Sequence, residues 1–230
     1  MRYETIFFDL DHTLWDFETN SRETLIELSE KYDFKGKGIE SSEHFIQKYF
    51  GINERMWGEY GKGIISKEEL RYNRFHETLK LYNIDDFDLA RNIGNDYSSI
   101  APSKQNVLPY TMEILEYLSK KYPLHIITNG FEEVQHIKLK CCKIDHYFAE
   151  VITSERSGFK KPDKRMFDYS VTLVRANPLT SLMIGDSLEA DILGAKDAGM
   201  SQVYFNPKAA LHSETIQHEI RSLSELTDFL

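Results

Sequence analysis

Short apolar stretches of strand length recur along the chain. They are TIFFDL (5–10), LHIIT (124–128), AEVIT (149–153), SLMIG (181–185) and QVYF (202–205). Each is rich in β-branched or aromatic residues, and several close on polar or glycine-containing turns. Helical spacing fills the intervals between the later ones. Ile114, Leu115 and Leu118 share a face in 110–122, and 132–144 and 164–176 read similarly. In 189–200 the inward set is Ile192, Ala195 and Ala198, with Gly199 as the expected stop. Strands alternating with helices over 110–205 predict right-handed βαβ units and a parallel sheet, a Rossmann-like, doubly wound α/β core.

The first strand departs from that rhythm. A long helical region without a convincing strand follows it: 20–32, opened by Asn20 or Ser21 as a cap; 41–63; 66–82, with a Ser66/Glu69 capping box; and 85–100. The pattern predicts an α-helical domain over 15–105, inserted between 1–14 and 106–230 of the α/β core. The connections fall near Leu14–Glu18 and Pro102–Pro109, natural hinge positions.

Composition changes this picture little. At 41% hydrophobic and 28% charged, the chain is of ordinary globular type. The net charge of −9, with no Lys/Arg block, argues against a nucleic-acid polymer as partner. No apolar window reaches membrane length and the amino terminus lacks a signal-peptide run, so the expected location is cytoplasmic. The two cysteines, Cys141 and Cys142, are adjacent, which suits free thiols and neither a disulfide framework nor a zinc knuckle. None of the histidines shows metal-ligand spacing.

The chemistry gathers at the strand ends, where parallel-sheet proteins bind ligands. Strand one ends in Asp9 and Asp11, strand two in Thr128, Asn129 and Gly130. Lys161 follows strand three, and strand four ends in Gly185, Asp186 and Ser187 with Asp191 beyond. Buried carboxylates are costly unless paired or metal-bound. This set suits phosphoryl transfer. Carboxylates hold a hard cation such as Mg²⁺, which also binds substrate phosphate. An Asp ordinarily ionises near pH 3.9, so Asp9 is available as a nucleophile that forms an aspartyl-phosphate. Lys161 and the metal offset repulsion from the phosphate. In an extended stretch Asp11 shares a face with Asp9, placing it to protonate the leaving oxygen and then activate water.

DLDHT (9–13), TNG (128–130), KP (161–162) and GDSLEAD (185–191) resemble the four ordered motifs of the haloacid dehalogenase superfamily. More narrowly, 57–75, 126–131 and 185–200 are similar to the bacterial pyrimidine 5′-nucleotidases, the house-cleaning nucleotidases. The resemblance implies a helical cap in the insertion and assigns roles. Asp9 is nucleophile and metal ligand. Asp11 is acid/base, with its backbone carbonyl on the metal, and Asp186 is the third ligand. Thr128 and Lys161 hold the phosphate, with the Asn129 backbone amide assisting. Asp191 sits near the metal through water or orients Lys161; the residues alone equally allow a helix cap. His12 stands where the superfamily often has glycine, and is either a substrate contact or plain loop surface. Lys160 reads as a solvated charge. Trp57, Tyr60, Arg71, Arg74 and Phe75 are candidate base or sugar contacts, or simply parts of the insertion's own core or surface.

The resulting expectation is a Mg²⁺-dependent phosphomonoester hydrolase, a monomer or small homo-oligomer, acting on a small phosphorylated metabolite such as a nucleoside 5′-monophosphate. The alternatives are a phosphomutase, an isomerase of the β-phosphoglucomutase kind, or a phosphoglycolate-type small-metabolite phosphatase. A dehalogenase has no phosphate leaving group for Asp11 to protonate, and a non-catalytic binding module has no need of the full set of acids and Lys161.

Overall fold

A computed structural model describes residues 3–230. The chain divides into two compact units, Met1–Phe17 with Gln105–Leu230, and Glu18–Lys104. Among the described residues no helix is long and apolar enough to cross a membrane.

In the first unit the strands are β1 (Thr5–Phe8), β2 (Leu124–Thr128), β3 (Phe148–Thr153), β4 (Ser181–Gly185), β5 (Ser201–Phe205) and β6 (His218–Ile220). They form one sheet in the order β3-β2-β1-β4-β5-β6, all pairs parallel. The alternation of strand side chains builds a core on each face. Ile6, Phe8, Leu124, Ile126, Leu182, Ile184, Val203 and Phe205 point to one side. There they meet Ile114, Leu115 and Leu118 of α5 (Thr111–Ser119) and Leu139 of α6 (Glu132–Cys141). Phe7, Ile127 and Met183 point to the other side, where Met166, Phe167 and Val171 of α8 (Lys164–Leu173) cover them. Central strands buried on both faces explain the near-continuous apolar runs in the sequence.

The sixth strand was not foreseen. HEI is three residues long, two of them polar, and lies at the sheet edge, where only β5 supports it. The expected helix at 189–200 is also altered. A π-helical segment, Leu188–Leu193, runs into a single α turn, α9 (Gly194–Asp197), and Gly199 stops it at φ +80°.

The second unit is helical: α1 (Phe17–Lys31), which starts one residue before it, α2 (Ser42–Gly61), α3 (Lys67–Lys80) and α4 (Phe87–Ile100). The capping box at Ser66 and Glu69 is formed as the sequence implied. The proposed cap of the first helix is corrected. The helix begins at Phe17, and Asn20 and Ser21 lie buried inside it. Ser21 shares a hydrogen bond with Tyr97 instead, at 2.6 Å. Phe75 stacks on Tyr49 in the interior. Arg74 is buried beside them, donating to Asn53 at 2.8 Å with its guanidinium 4.9 Å from the Tyr97 ring. Both therefore belong to this unit's core.

β3 runs directly into the single-turn helix α7 (Ser154–Ser157), whereas β1, β2 and β4 are followed by non-helical turns. At β4 the packing is tight. A Cβ on Gly185 would lie 2.3 Å from Asp191 Oδ2 and 2.4 Å from its Cγ. The buried Asp191 cannot yield freely, because the Ser187 amide donates to its Oδ2 at 2.9 Å. Gly185→Ala is accordingly expected to lower stability by about 1–3 kcal/mol, the usual cost of overpacking. Urea denaturation of the folded variant measures this, and an unchanged midpoint would contradict the packing described.

Candidate active site

Asp9 and Asp186 follow adjacent central strands. The Asp9 amide extends the ladder by donating to Ile184 O at 2.9 Å, so its side chain emerges beside the end of β4. The chain then turns tightly. Leu14 and Trp15 amides both donate back to Leu10 O, and His12 adopts φ +65°. Glycine favours that left-handed conformation, and histidine is among the residues that tolerate it. His12 thus takes a backbone conformation that glycine would also accept. Its ring packs on Phe17, with centroids 4.6 Å apart. The turn also delivers Thr13, whose hydroxyl donates to Asp186 Oδ1 at 3.1 Å.

Lys161 is the hub. Its ammonium has three donors, and they go to Asp9 Oδ1 at 2.6 Å, Asp191 Oδ1 at 2.6 Å and Ile127 O at 2.8 Å. The residue is only 3% exposed. Asn129 places the lysine's backbone: its amide nitrogen donates to Lys161 O at 2.9 Å, and its oxygen accepts from Lys161 N at 2.8 Å. The sequence pointed to the Asn129 backbone; this two-way side-chain clamp was not foreseen. Of the roles left open for Asp191, the contact with Lys161 is formed, while the helix cap is Ser187 instead. Asp191 Oδ2 accepts from Ser187 N, while Ser187 Oγ accepts from Ala190 N at 3.1 Å.

Thr128 ends β2, buried, its hydroxyl accepting from Gly130 N at 3.0 Å. Gln135 of α6 packs directly over that turn. A Cβ on Gly130 would fall 1.6 Å from Gln135 Nε2, so a larger residue there would require that side chain to move. Lys160 is half-buried, and burial lowers its pKa.

The electrostatics show what the cluster lacks. Burial pushes Asp9 up to about 7, with Lys161 opposing and Asp191 adding to the rise. Asp186 is pushed well above the ordinary carboxylate range, first by burial, then by Asp9 and Asp191. Burial alone would lower Lys161, but Asp191 and Asp9 hold it above its ordinary value. An Asp9 that ionises near pH 3.9 is therefore not what this protein alone provides. Three carboxylates face one ammonium, and the imbalance favours protonation unless another cation is present. Asp9, Asp186 and Asp191 each offer an oxygen within 4.8 Å of the others. Asp9 Oδ2 and Asp186 Oδ2 accept no hydrogen bond among the described residues, whereas both Asp191 oxygens are occupied. This all-oxygen, electron-rich donor set fits a hard divalent ion such as Mg²⁺.

The Asp11 carboxylate is not in that cluster. β1 ends at Phe8, so the expected extended geometry stops short of Asp11, which instead forms an isolated bridge with Trp15. Its carboxylate accepts two hydrogen bonds from Lys138 Nζ, at 2.6 and 2.8 Å. Lys138 was missed by the sequence reading. The available signal was its place on α6, three residues after the inward-facing Gln135.

The haloacid dehalogenase-like hydrolase family model matches residues 3–199. The chain is 30% identical over its whole length to the pyrimidine 5′-nucleotidase YjjG of Escherichia coli, covering 99% of that protein. It is 29% identical to the pyrimidine 5′-nucleotidase PynA of Streptococcus pneumoniae, over all of this chain and 96% of that one. The crystal structure of the HAD-hydrolase YfnB from Bacillus subtilis, bound to magnesium and described as revealing interdomain movement, superposes with a TM-score of 0.90. That match is at 28% identity and covers 99% of this chain and 98% of YfnB. A six-stranded parallel sheet carrying these acids at its strand ends, together with a family match over most of the chain, makes the protein a hydrolase of the haloacid dehalogenase-like family.

Proposed function

We propose that the protein hydrolyses phosphomonoesters through an aspartyl-phosphate on Asp9, with Mg²⁺ as cofactor and a nucleoside 5′-monophosphate as substrate. The observation that carries this reading is the buried Asp9–Lys161–Asp191 chain beside Asp186, a carboxylate nucleophile with a fixed cation 2.6 Å away. YjjG and PynA, both named pyrimidine 5′-nucleotidases, support the substrate class.

The residues divide the work as follows. Asp9 attacks phosphorus as the bond to the leaving oxygen breaks, and Asp11 gives that oxygen its proton. Water then attacks the phosphoryl group, passes a proton to Asp11, and Asp9 is released as a carboxylate with inorganic phosphate. Lys161 stabilises charge on the phosphoryl oxygens in both transfers, and Thr128 and Asn129 bind the phosphate at the end of β2. Asp9, Asp186 and the Asp11 carbonyl would hold Mg²⁺, which supplies positive charge that keeps Asp9 ionised and offsets its repulsion from the phosphate. Asp191 acts through Lys161.

We assign substrate choice to the helical unit, as a cap joined through the connections near 14–18 and 102–109. The interdomain movement described for YfnB supports a cap of this kind. With Phe75 and Arg74 in that unit's interior, Trp57 and Arg71, both half-buried, are the better candidates for contact with a planar base.

A panel of pyrimidine and purine monophosphates, sugar phosphates and phosphoglycolate, scored by phosphate release with Mg²⁺, tests the assignment. Nucleotides should be preferred. Phosphate retained on the product while its position changes would indicate a mutase. Asp9→Asn should reduce turnover by roughly four orders of magnitude or more, since the amide cannot attack phosphorus. Substantial residual activity in a folded Asp9→Asn protein would eliminate the covalent route. Trp57→Ala and Arg71→Ala should shift selectivity among nucleotides by about tenfold while changing hydrolysis of a small generic ester less. Unchanged selectivity in both would remove the helical unit from substrate reading.

A further inference from the structure

The mechanism above leaves one buried cation without a task. Lys138, on α6, is 6% exposed, yet it carries no link to the Asp9–Lys161–Asp191 chain. Its ammonium grips both oxygens of Asp11, at 2.6 and 2.8 Å, and stands 4.4 Å from the centroid of the Trp15 ring. Trp15 is itself buried at 1% exposure and bridged to the Asp11 backbone. Asp11 is thus held twice, by its main chain through Trp15 and by its carboxylate through Lys138. Two lysines from different elements each hold one of the two carboxylates that do chemistry, Lys161 that of Asp9 and Lys138 that of Asp11.

We propose that Lys138 is the positioning residue for proton transfer, fixing the Asp11 carboxylate in the orientation from which it serves the leaving oxygen. The proposal rests on the phosphatase reading, with Asp11 as acid/base. The Asp11 side chain is 23% exposed and has two rotatable bonds, so without a partner it would populate several rotamers. Proton transfer demands a heavy-atom separation of about 2.6–3.2 Å, and a misplacement of about 1 Å can cost roughly a hundredfold. A cation that meets both carboxylate oxygens removes that freedom. Burial of the lysine against Trp15 keeps water from competing for the ammonium. The cation–π contact also fixes the lysine, so the orientation is inherited from the packing of α6 against the loop after β1.

The test compares Lys138→Met and Lys138→Arg with wild type on two esters of differing leaving group, a nucleoside monophosphate or alkyl phosphate and p-nitrophenyl phosphate. The parameter is kcat/KM, which reports the transfer to Asp9. An alkoxide must be protonated as it departs, whereas p-nitrophenolate leaves well without help. Lys138→Met should lose roughly 10–100-fold on the alkyl ester, and at least about tenfold more than on p-nitrophenyl phosphate. Lys138→Arg, whose guanidinium can also meet both oxygens, should recover much of the difference. Equal losses on the two esters, in variants shown to be folded by circular dichroism, would make Lys138 a merely structural residue and overturn the proposal. So would the absence of any loss. If wild-type protein hydrolysed neither ester, the phosphatase reading would fail first, which is a distinguishable result.

Discussion

The Lys161 ammonium is the contact on which the site depends. It draws Asp9 from the end of β1, Asp191 from the segment after β4 and a carbonyl of β2 to one point, so groups from three neighbouring strand ends meet on a single side chain. That arrangement is incomplete in charge. Three carboxylates against one ammonium leave an excess that burial makes expensive, seen in the upward displacement of Asp9 and Asp186. A buried charge cluster of this kind is poor evidence for stability and good evidence for function. Nothing in the packing of the sheet requires acids there. The function proposed above, with a divalent cation and a phosphoryl group at the rim, gives them a reason to be there.

The sheet order explains how such different stretches of sequence converge. β1, β2 and β4 are neighbours, and their carboxyl ends form one rim. Interrupting the chain after β1 leaves that rim unchanged, because the sheet pairs β1 with strands that come more than a hundred residues later. The helical unit has its own core of Phe45, Tyr49, Phe75, Leu79 and Ile93. On the function proposed above, catalysis belongs to the first unit and substrate choice to the second. Fold alone would not decide between them, as the same architecture hosts different reactions. The residues at the rim carry the argument.

Much of this was legible from the sequence because buried parallel strands leave continuous apolar runs, and polar residues at their ends stand out against them. Asp9, Lys161, Asp186 and Asp191 were found that way. What was not legible came from contacts between elements. Lys138 sits on a helix whose outward face is also charged, so its spacing from Gln135 is a weak sign that it faces inward. Its partner lies 127 positions away. The clamp of Asn129 on the Lys161 backbone and the packing of Gln135 over Gly130 have the same origin. The start of α1 was misplaced because Asn20 and Ser21 are good capping residues, but both are committed to the interior, where tertiary contacts override local preference. β6 is too short and too polar to announce itself.

The central claim is that Asp9 and Asp186 make a site whose charge is completed by one divalent cation. Calorimetric titration of Mg²⁺ into the full-length protein, first stripped with chelator, tests it most directly. The account predicts saturable binding of about one ion per chain, weakened at least tenfold in Asp186→Asn. No saturable binding, or the same affinity in Asp186→Asn, would contradict it.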